Sequence, residues 1–532
     1  MRILSLFLVS LLLCHCGAPQ PPVCRFLPIA SREPAPATLE IARNNWNILA
    51  DTSRKAEWPA AQVAYNESVR ILFDKIRCGG GDISSKASGI GTALSISDDF
   101  NKDLTEIDAL FPASEVKIHS EKRHQNIAGI GIPVVGWTAT SPVGVPRKPF
   151  HPPNGQPYNL TAVLDFSTEV PQWHFEKRWD SNNYKVGRVE HQLAADWTAP
   201  IDFFWYMCDL DNLRIQNVLL PERYTQETGL FFVQPYEPDK IPVVMVHGLY
   251  SSPDAYRDIV NDLSSQPWFR DHYQIWLYNY PTGTPWLYSA MLFRQNMGDA
   301  ANFARSKGPD DKLNKMVILS HSMGGLLTRT AVSEPGQKLY NAHFKKPFGS
   351  LKIKSETREL LREGLLYEPL TDPKRVVFMA VPHQGSPAAN FRGTGLLSNL
   401  IRLPKTLTVG LLDATLQTAQ EGLSGDLEST EVKPPTSIST LSPRYAGFQG
   451  LKEMPLPKSM TFHSIMGDKG HGDTPKSSDG VVPYWSSHVE PVASELIVPS
   501  NHSVPNNKEA SEEVKRILLL HLKEENVLGT EN

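Results

Sequence analysis

Met316-Val317-Ile318-Leu319-Ser320-His321-Ser322-Met323-Gly324-Gly325 is the stretch on which the reading of this chain turns. Its first four residues are apolar without a break, the mark of a strand buried on both faces. Small residues follow as a tight turn, and 326–332 continues at helical spacing. A serine at such a junction takes a strained backbone conformation that lifts its hydroxyl above the sheet. This works only if the positions two before and two after it are small, because strand and helix otherwise collide. Gly324 meets the second condition. Ser320 stands at the first, where glycine is more usual, a small residue in place of a small one. The pattern small-x-Ser-x-Gly also arises by chance and then marks an ordinary turn; its weight here comes from the strand and helix around it.

Outward from this turn the rhythm is strand, loop, helix. Residues 242–246 and 273–278 read as apolar strands with a helix near 255–263 between them. A helix over 289–305 precedes the strand 316–319, and 375–381, 460–466 and 495–498 continue the series before a closing amphipathic helix over 509–522. Apolar strands alternating with helices predict a mostly parallel sheet covered on both faces. Two insertions interrupt it, 335–370 and 386–457. The second carries Leu396, Leu397, Leu400, Ile401, Leu407, Val409, Leu411 and Leu412, which fits either a lid over a greasy substrate or a packed subdomain.

The chain of 532 residues is longer than one core usually organises, so two domains are expected. A formal net charge of −4 excludes a protein that grips nucleic acid by a basic face. Residues 3–13 are apolar except Ser5 and Ser10, shorter than the roughly 20 needed to span a bilayer, and read as an export signal over 1–16. The signal ends in Cys14-His15-Cys16-Gly17. Leu13 and Cys16 match the ends of a bacterial lipobox, although His15 departs from the small residue usual there, so a lipid anchor is expected at Cys16 or else at Cys14. The chain is then exported, to the cell envelope or the medium, with no transmembrane helix after processing. Residues 17–37 read as a Pro-rich tether, 38–235 as an accessory region, and 236–532 as the catalytic domain. Within the accessory region, Tyr65, Val69, Leu72, Phe73 and Ile76 recur at helical spacing, and the short runs 159–166, 201–207 and 229–233 look β-like. Three cysteines follow the signal, with no metal-ligand spacing; they fit one disulfide, Cys78–Cys208, or isolated buried thiols.

A nucleophilic serine needs a base within reach and an acid to orient that base. His502, in Ser500-Asn501-His502-Ser503, lies on a loop just past the last apolar run and is the expected base. Asp479, in Ser478-Asp479-Gly480-Val481-Val482-Pro483, follows the preceding strand and is the expected acid, with Asp468 as its competitor. The strand 242–246 runs into His247-Gly248-Leu249. The N–H groups of Leu249 and Met323 are expected to face the developing oxyanion, with Gly248 letting the chain come close. His247 precedes the serine in the chain and reads as structural; His463, His471 and His488 are rivals for the base that lie within or just after the preceding strand, or far from a strand end, and His321 and His383 read as support for the pocket floor. His463, Asp468, His471 and Asp473 match no zinc signature. Tyr250, Tyr278, Tyr280, Trp286, Tyr484 and Trp485 fit a substrate pocket and core filler equally well.

Val246-His247-Gly248, Ser320–Gly325, Val381-Pro382-His383-Gln384-Gly385-Ser386, Ser478–Pro483 and Ser500–Ser503 occur in an order that resembles the lipase/esterase branch of the α/β-hydrolases. The resemblance runs from about residue 240 to 525. It implies the α/β-hydrolase fold and hydrolysis of an ester or lipid substrate through an acyl-enzyme on Ser322, without a cofactor. Secreted lipases and deacylases of lipid anchors are both similar. Two other readings stay open: an acyltransferase using the same three residues, and a non-catalytic envelope-attached binding or scaffold protein.

Overall fold

The computed structural model describes residues 34–78, 83–95, 107–119, 123–138, 149–153, 155–179, 181–208, 228–309, 311–390, 435–472 and 474–527. The expected export signal with Cys14 and Cys16, most of the tether, and the apolar runs of the insertion lie outside them. The chain forms two compact units.

In the first unit, α1 (Ala35–Ala50) and α2 (Trp58–Arg77) cover a five-stranded sheet. Its strands are β1 (Ala93–Leu94), β2 (Ala109–Pro112), β3 (Ile132–Thr138), β4 (Gln156–Asp165) and β5 (Gln172–Lys177), in the order β1-β5-β4-β3-β2. The tether reading to residue 37 overshoots. Pro36 falls in the first turn of α1, where a missing N–H forfeits no helical bond, so proline here starts a helix. The helical spacing in α2 is the burial pattern: Tyr65, Val69, Leu72, Phe73 and Ile76 pack with Trp46 against Leu160, Trp173 and Phe175 of the sheet. The Tyr65 hydroxyl donates to the Leu164 carbonyl at 2.8 Å and accepts from the Leu164 N–H at 2.9 Å, so the buried phenol completes the backbone hydrogen bonding of β4.

Residues 201–207 are helical rather than β-like. They belong to α3 (Thr198–Cys208), whose first turn is tied by the Asp196 carboxylate accepting from the N–H groups of Thr198 and Ala199. An apolar run buried nearly all round carries no periodicity to separate helix from strand. The pairing Cys78–Cys208 does not form: Cys78 is disulfide-bonded, while Cys208 keeps a buried thiol.

The second unit is built on seven strands: β6 (Gly229–Phe232), β7 (Ile241–Val246), β8 (Tyr273–Asn279), β9 (Met316–His321), β10 (Pro373–Met379), β11 (Thr461–Asp468) and β12 (Ser494–Pro499). Their order is β6-β8-β7-β9-β10-β11-β12. All pair in parallel except β6, which lies antiparallel to β8. Thus Gly229–Phe232, within the stretch expected to be accessory, is an edge strand of this sheet. The helices α4 (Arg257–Ser264), α5 (Trp286–Arg305), α6 (Met323–Val332), α7 (Ala446–Glu453) and α8 (Lys508–Glu524) connect and cover the strands. This is the α/β-hydrolase fold, a mostly parallel sheet with the serine turn between β9 and α6. Tyr278, Tyr280 and Trp286 lie in its core with Val244, Trp276, Ile318, Leu326 and Phe378. Phe448, Leu451 and Met454 of the second insertion join the same core, so its described end is packed subdomain. Because β9, β11 and β12 run in one direction, whatever follows each of them emerges at one rim of the sheet.

The opposite rim is tied by a buried polar network around Arg375. Its guanidinium donates to His463 Nε2 at 2.6 Å and to His521 Nδ1 at 3.1 Å, and pairs with Glu524. His521 Nε2 donates to the Lys315 carbonyl at 2.7 Å, and His463 Nδ1 donates to Ser494 Oγ at 2.7 Å. Burial, then the charge of Arg375, lowers His463 to about 4; burial above all, with Arg375 also contributing, lowers His521 to about 4. Both histidines are neutral acceptors in the folded chain and protonate near 6.5 when it unfolds. Their contribution to stability is therefore complete above about pH 6.5 and is lost as the pH falls through about 4, on the order of a few kcal/mol. Calorimetric Tm should fall steadily between these limits, and His521→Gln should flatten that slope.

Candidate active site

Ser322 sits at φ 53° and ψ −126°, a backbone conformation that costs an L-residue roughly 1–3 kcal/mol. The turn holds because both sides are pinned: the Ser322 N–H donates to the Met379 carbonyl at 2.9 Å, and the Ser322 carbonyl accepts from the Gly325 N–H at 2.9 Å. It also needs space. A Cβ on Gly324 would lie 2.4 Å from the carbonyl oxygens of both Val246 and His247, and one on Gly325 would lie 2.0 Å from a Val381 methyl. Ser320, at the other small position, is fully buried and fits in the ladder between Val246 and Phe378.

His502 follows β12 and reaches back to this turn. Its Nε2 is 2.8 Å from Ser322 Oγ, and its Nδ1 is 2.6 Å from Asp479 Oδ2. The other carboxylate oxygen of Asp479 accepts from the N–H groups of Val481 at 2.8 Å and Val482 at 2.7 Å. Burial pushes the Asp479 carboxyl up, but the hydrogen bond and charge of His502, with the two backbone N–H groups, outweigh it and hold the group below its usual range. An ionised carboxylate only accepts, so Nδ1 of His502 carries its proton. Nε2 is then a lone pair facing the serine hydroxyl, the arrangement needed to remove that proton.

Asp468, the competing acid, does other work. Its carboxylate accepts from the backbone N–H groups of Gly470, His471 and Ser478, folding the loop that leads to Asp479. Gly467 matters for a reason the sequence did not expose. A Cβ there would lie 2.9 Å from both Asp479 Cβ and the Ser500 carbonyl oxygen, and 3.0 Å from that of Asn501. The loops carrying Asp479 and His502 meet over this bare backbone. A Gly-Asp pair closing the strand is the sequence signal for it.

The loop after β7 passes directly over Ser322, since a Cβ on Gly248 would touch Ser322 Cβ at 2.7 Å. That brings the segment of Leu249 to the serine from one side, while Met323 heads α6 on the other, where the first N–H groups have no intrahelical acceptor. His247 is fully buried, its ring stacked on Tyr280 at 4.6 Å and its carbonyl accepting from the Tyr280 hydroxyl at 2.9 Å. His463 and His521 lie at the far rim, His488 pairs with Glu495, and Asp473 is outside the described residues. Among the described large apolar side chains of the second unit, Tyr250, Val481 and Trp485 are the exposed ones; Tyr250 follows Leu249 in the chain, and Val481 and Trp485 follow Asp479.

Gly324→Ala should therefore fail for a steric reason, because the atoms it meets are strand backbone rather than flexible side chain. A loss of about 1–3 kcal/mol of stability is expected, and denaturant unfolding of the variant beside the parent checks it.

No family model matches the chain, and no curated protein does. Solved structures similar to it include the Bacillus licheniformis lipase BlEst2 in its propeptide form, at 14% identity and a TM-score of 0.34 over 55% of this chain and 53% of that one. The chain thus spans about half the length of that protein. The mature form of the same lipase gives 15% identity and a TM-score of 0.32 over 55% of this chain and 97% of that one. A metagenomic carboxyl esterase, MGS0156, gives 15% and 0.30 over 55% and 76%.

Proposed function

We propose that the protein is a serine hydrolase of carboxylic esters. Ser322 Oγ attacks the ester carbonyl carbon while His502 Nε2 takes its proton, giving a tetrahedral intermediate whose oxyanion faces the N–H groups of Leu249 and Met323. Asp479 holds the imidazole in the tautomer this requires and stabilises the imidazolium that forms. Collapse of the intermediate breaks the bond to the alcohol oxygen, which leaves with the proton from His502. Water then enters, gives its proton to His502 and attacks the acyl-enzyme; the acid departs and Ser322 regains its hydrogen.

The observation that carries this reading is the continuous series Ser322 Oγ, His502 Nε2, His502 Nδ1, Asp479 Oδ2, with gaps of 2.8 Å and 2.6 Å. The exposed side chains of Tyr250, Val481 and Trp485 favour an apolar acyl or aryl group over a charged substrate. Ser322→Ala should abolish hydrolysis of p-nitrophenyl esters and labelling by a fluorophosphonate. Asp479→Asn should keep the fold and lower kcat by up to about 10⁴-fold, because the amide permits the wrong histidine tautomer. Parent-level turnover by Ser322→Ala would end the proposal.

A further inference from the structure

His321, the residue just before the nucleophile, is buried at 7% exposure, with its ring centre 5.0 Å from that of His502. Its Nε2 lies 2.7 Å from the main-chain carbonyl oxygen of His502. A carbonyl only accepts, so Nε2 carries the proton and Nδ1 is the bare nitrogen. That second nitrogen has no hydrogen-bond partner among the described residues, and it sits 3.2 Å from where a Cβ on Gly248 would be. One ring therefore adjoins the nucleophile through the chain, holds the base by its backbone, and lies under the glycine of the oxyanion loop.

From this geometry we infer that His321 is a positioning residue, a strut that fixes the His502 backbone so that the imidazole meets Ser322 at hydrogen-bonding distance. The inference rests on the assignment of Ser322 and His502 made above. His502 stands on the loop after β12, which is anchored by the Ser500 N–H donating to the Asp468 carbonyl at 3.1 Å and by packing on Gly467. Its side chain is tied to Asp479, which constrains the ring. The His321 bond ties the His502 carbonyl itself to the residue before Ser322, so serine and base are held to one another directly. Burial, and then the neighbouring His502, lowers His321 to about 3. It stays neutral when His502 becomes an imidazolium, and so adds no competing charge during turnover. A buried histidine bonded to one backbone oxygen while its other nitrogen faces no partner is poor choice for mere filling. Leucine or methionine would fill that volume without an unpaired polar atom.

The test compares two amides of like chemistry and different reach. His321→Gln places an N–H group near the position of Nε2, whereas His321→Asn places one near Nδ1, too short for the His502 carbonyl. The readouts are kcat and KM on a short p-nitrophenyl ester, the second-order rate of fluorophosphonate labelling at Ser322, and Tm for each variant. His321→Asn should lose about 10- to 100-fold in kcat and in labelling rate, with KM changed less than about twofold, since misplacing a reacting group by an ångström costs this much. His321→Gln should recover most of both rates. Equal loss in the two variants would overturn the strut, and so would parent-like rates in His321→Asn. If the parent itself neither turned over esters nor took the label, the fault would lie with the triad assignment instead.

Discussion

The turn at Ser322 depends on empty space. A strand entering a helix through a residue at φ 53° has almost no room, and the structure provides it by leaving side chains out at Gly324, Gly325 and Gly248. Each omission faces atoms that cannot move cheaply: the carbonyls of Val246 and His247, the branched side chain of Val381, and the Cβ of Ser322. The strain of the turn is held by main-chain bonds to Met379 and Gly325 and by a core that packs α6 onto β9. Everything chemical is arranged around an oxygen that this crowding pushes out of the sheet.

Precision at the other two positions comes from backbone as well. Asp479 is aimed by the N–H groups of Val481 and Val482, its loop is folded around Asp468, and Gly467 lets that loop touch the one carrying His502. Main-chain donors and acceptors are fixed once the strands are fixed, so they orient side chains without adding flexible partners. The two rims of the sheet then divide the work. At one, the strained and buried Ser322 meets the partly exposed His502; at the other, Arg375 binds the starts of β10, β11 and β12 to the end of α8 through fully satisfied histidines.

Much of this was legible in the residues because the relevant patterns are local. Largely apolar runs located six of the strands, and the small residues around Ser322 located the elbow. His502 stood out because it follows the last strand on a short loop, and Asp479 because it lies between the two last strands in Ser478-Asp479-Gly480. What stayed hidden depended on contacts between distant segments. Little within 201–207 distinguishes a buried helix from a strand, since all of it but Asp202 is apolar or aromatic and the deciding bonds come from Asp196 outside the run. Pro36 looked like tether composition because proline serves both extended chain and first helical turn. Gly467 looked like an ordinary strand end, and the role of Asp468 was invisible because its partners are backbone N–H groups, which no side-chain pattern records.

The two acidic candidates also show why chemistry must be argued from direction as well as position. Asp468 is closer to the end of β11, yet its oxygens are occupied by its own loop. Asp479 lies further along the chain, but the turn that Asp468 stabilises returns it to the rim beside His502. The nearer carboxylate builds the platform, and the farther one is presented by it. A chain that used Asp468 directly would lose the fold of the loop that carries the hydrogen bond, so the longer path is the one that leaves both carboxylates satisfied.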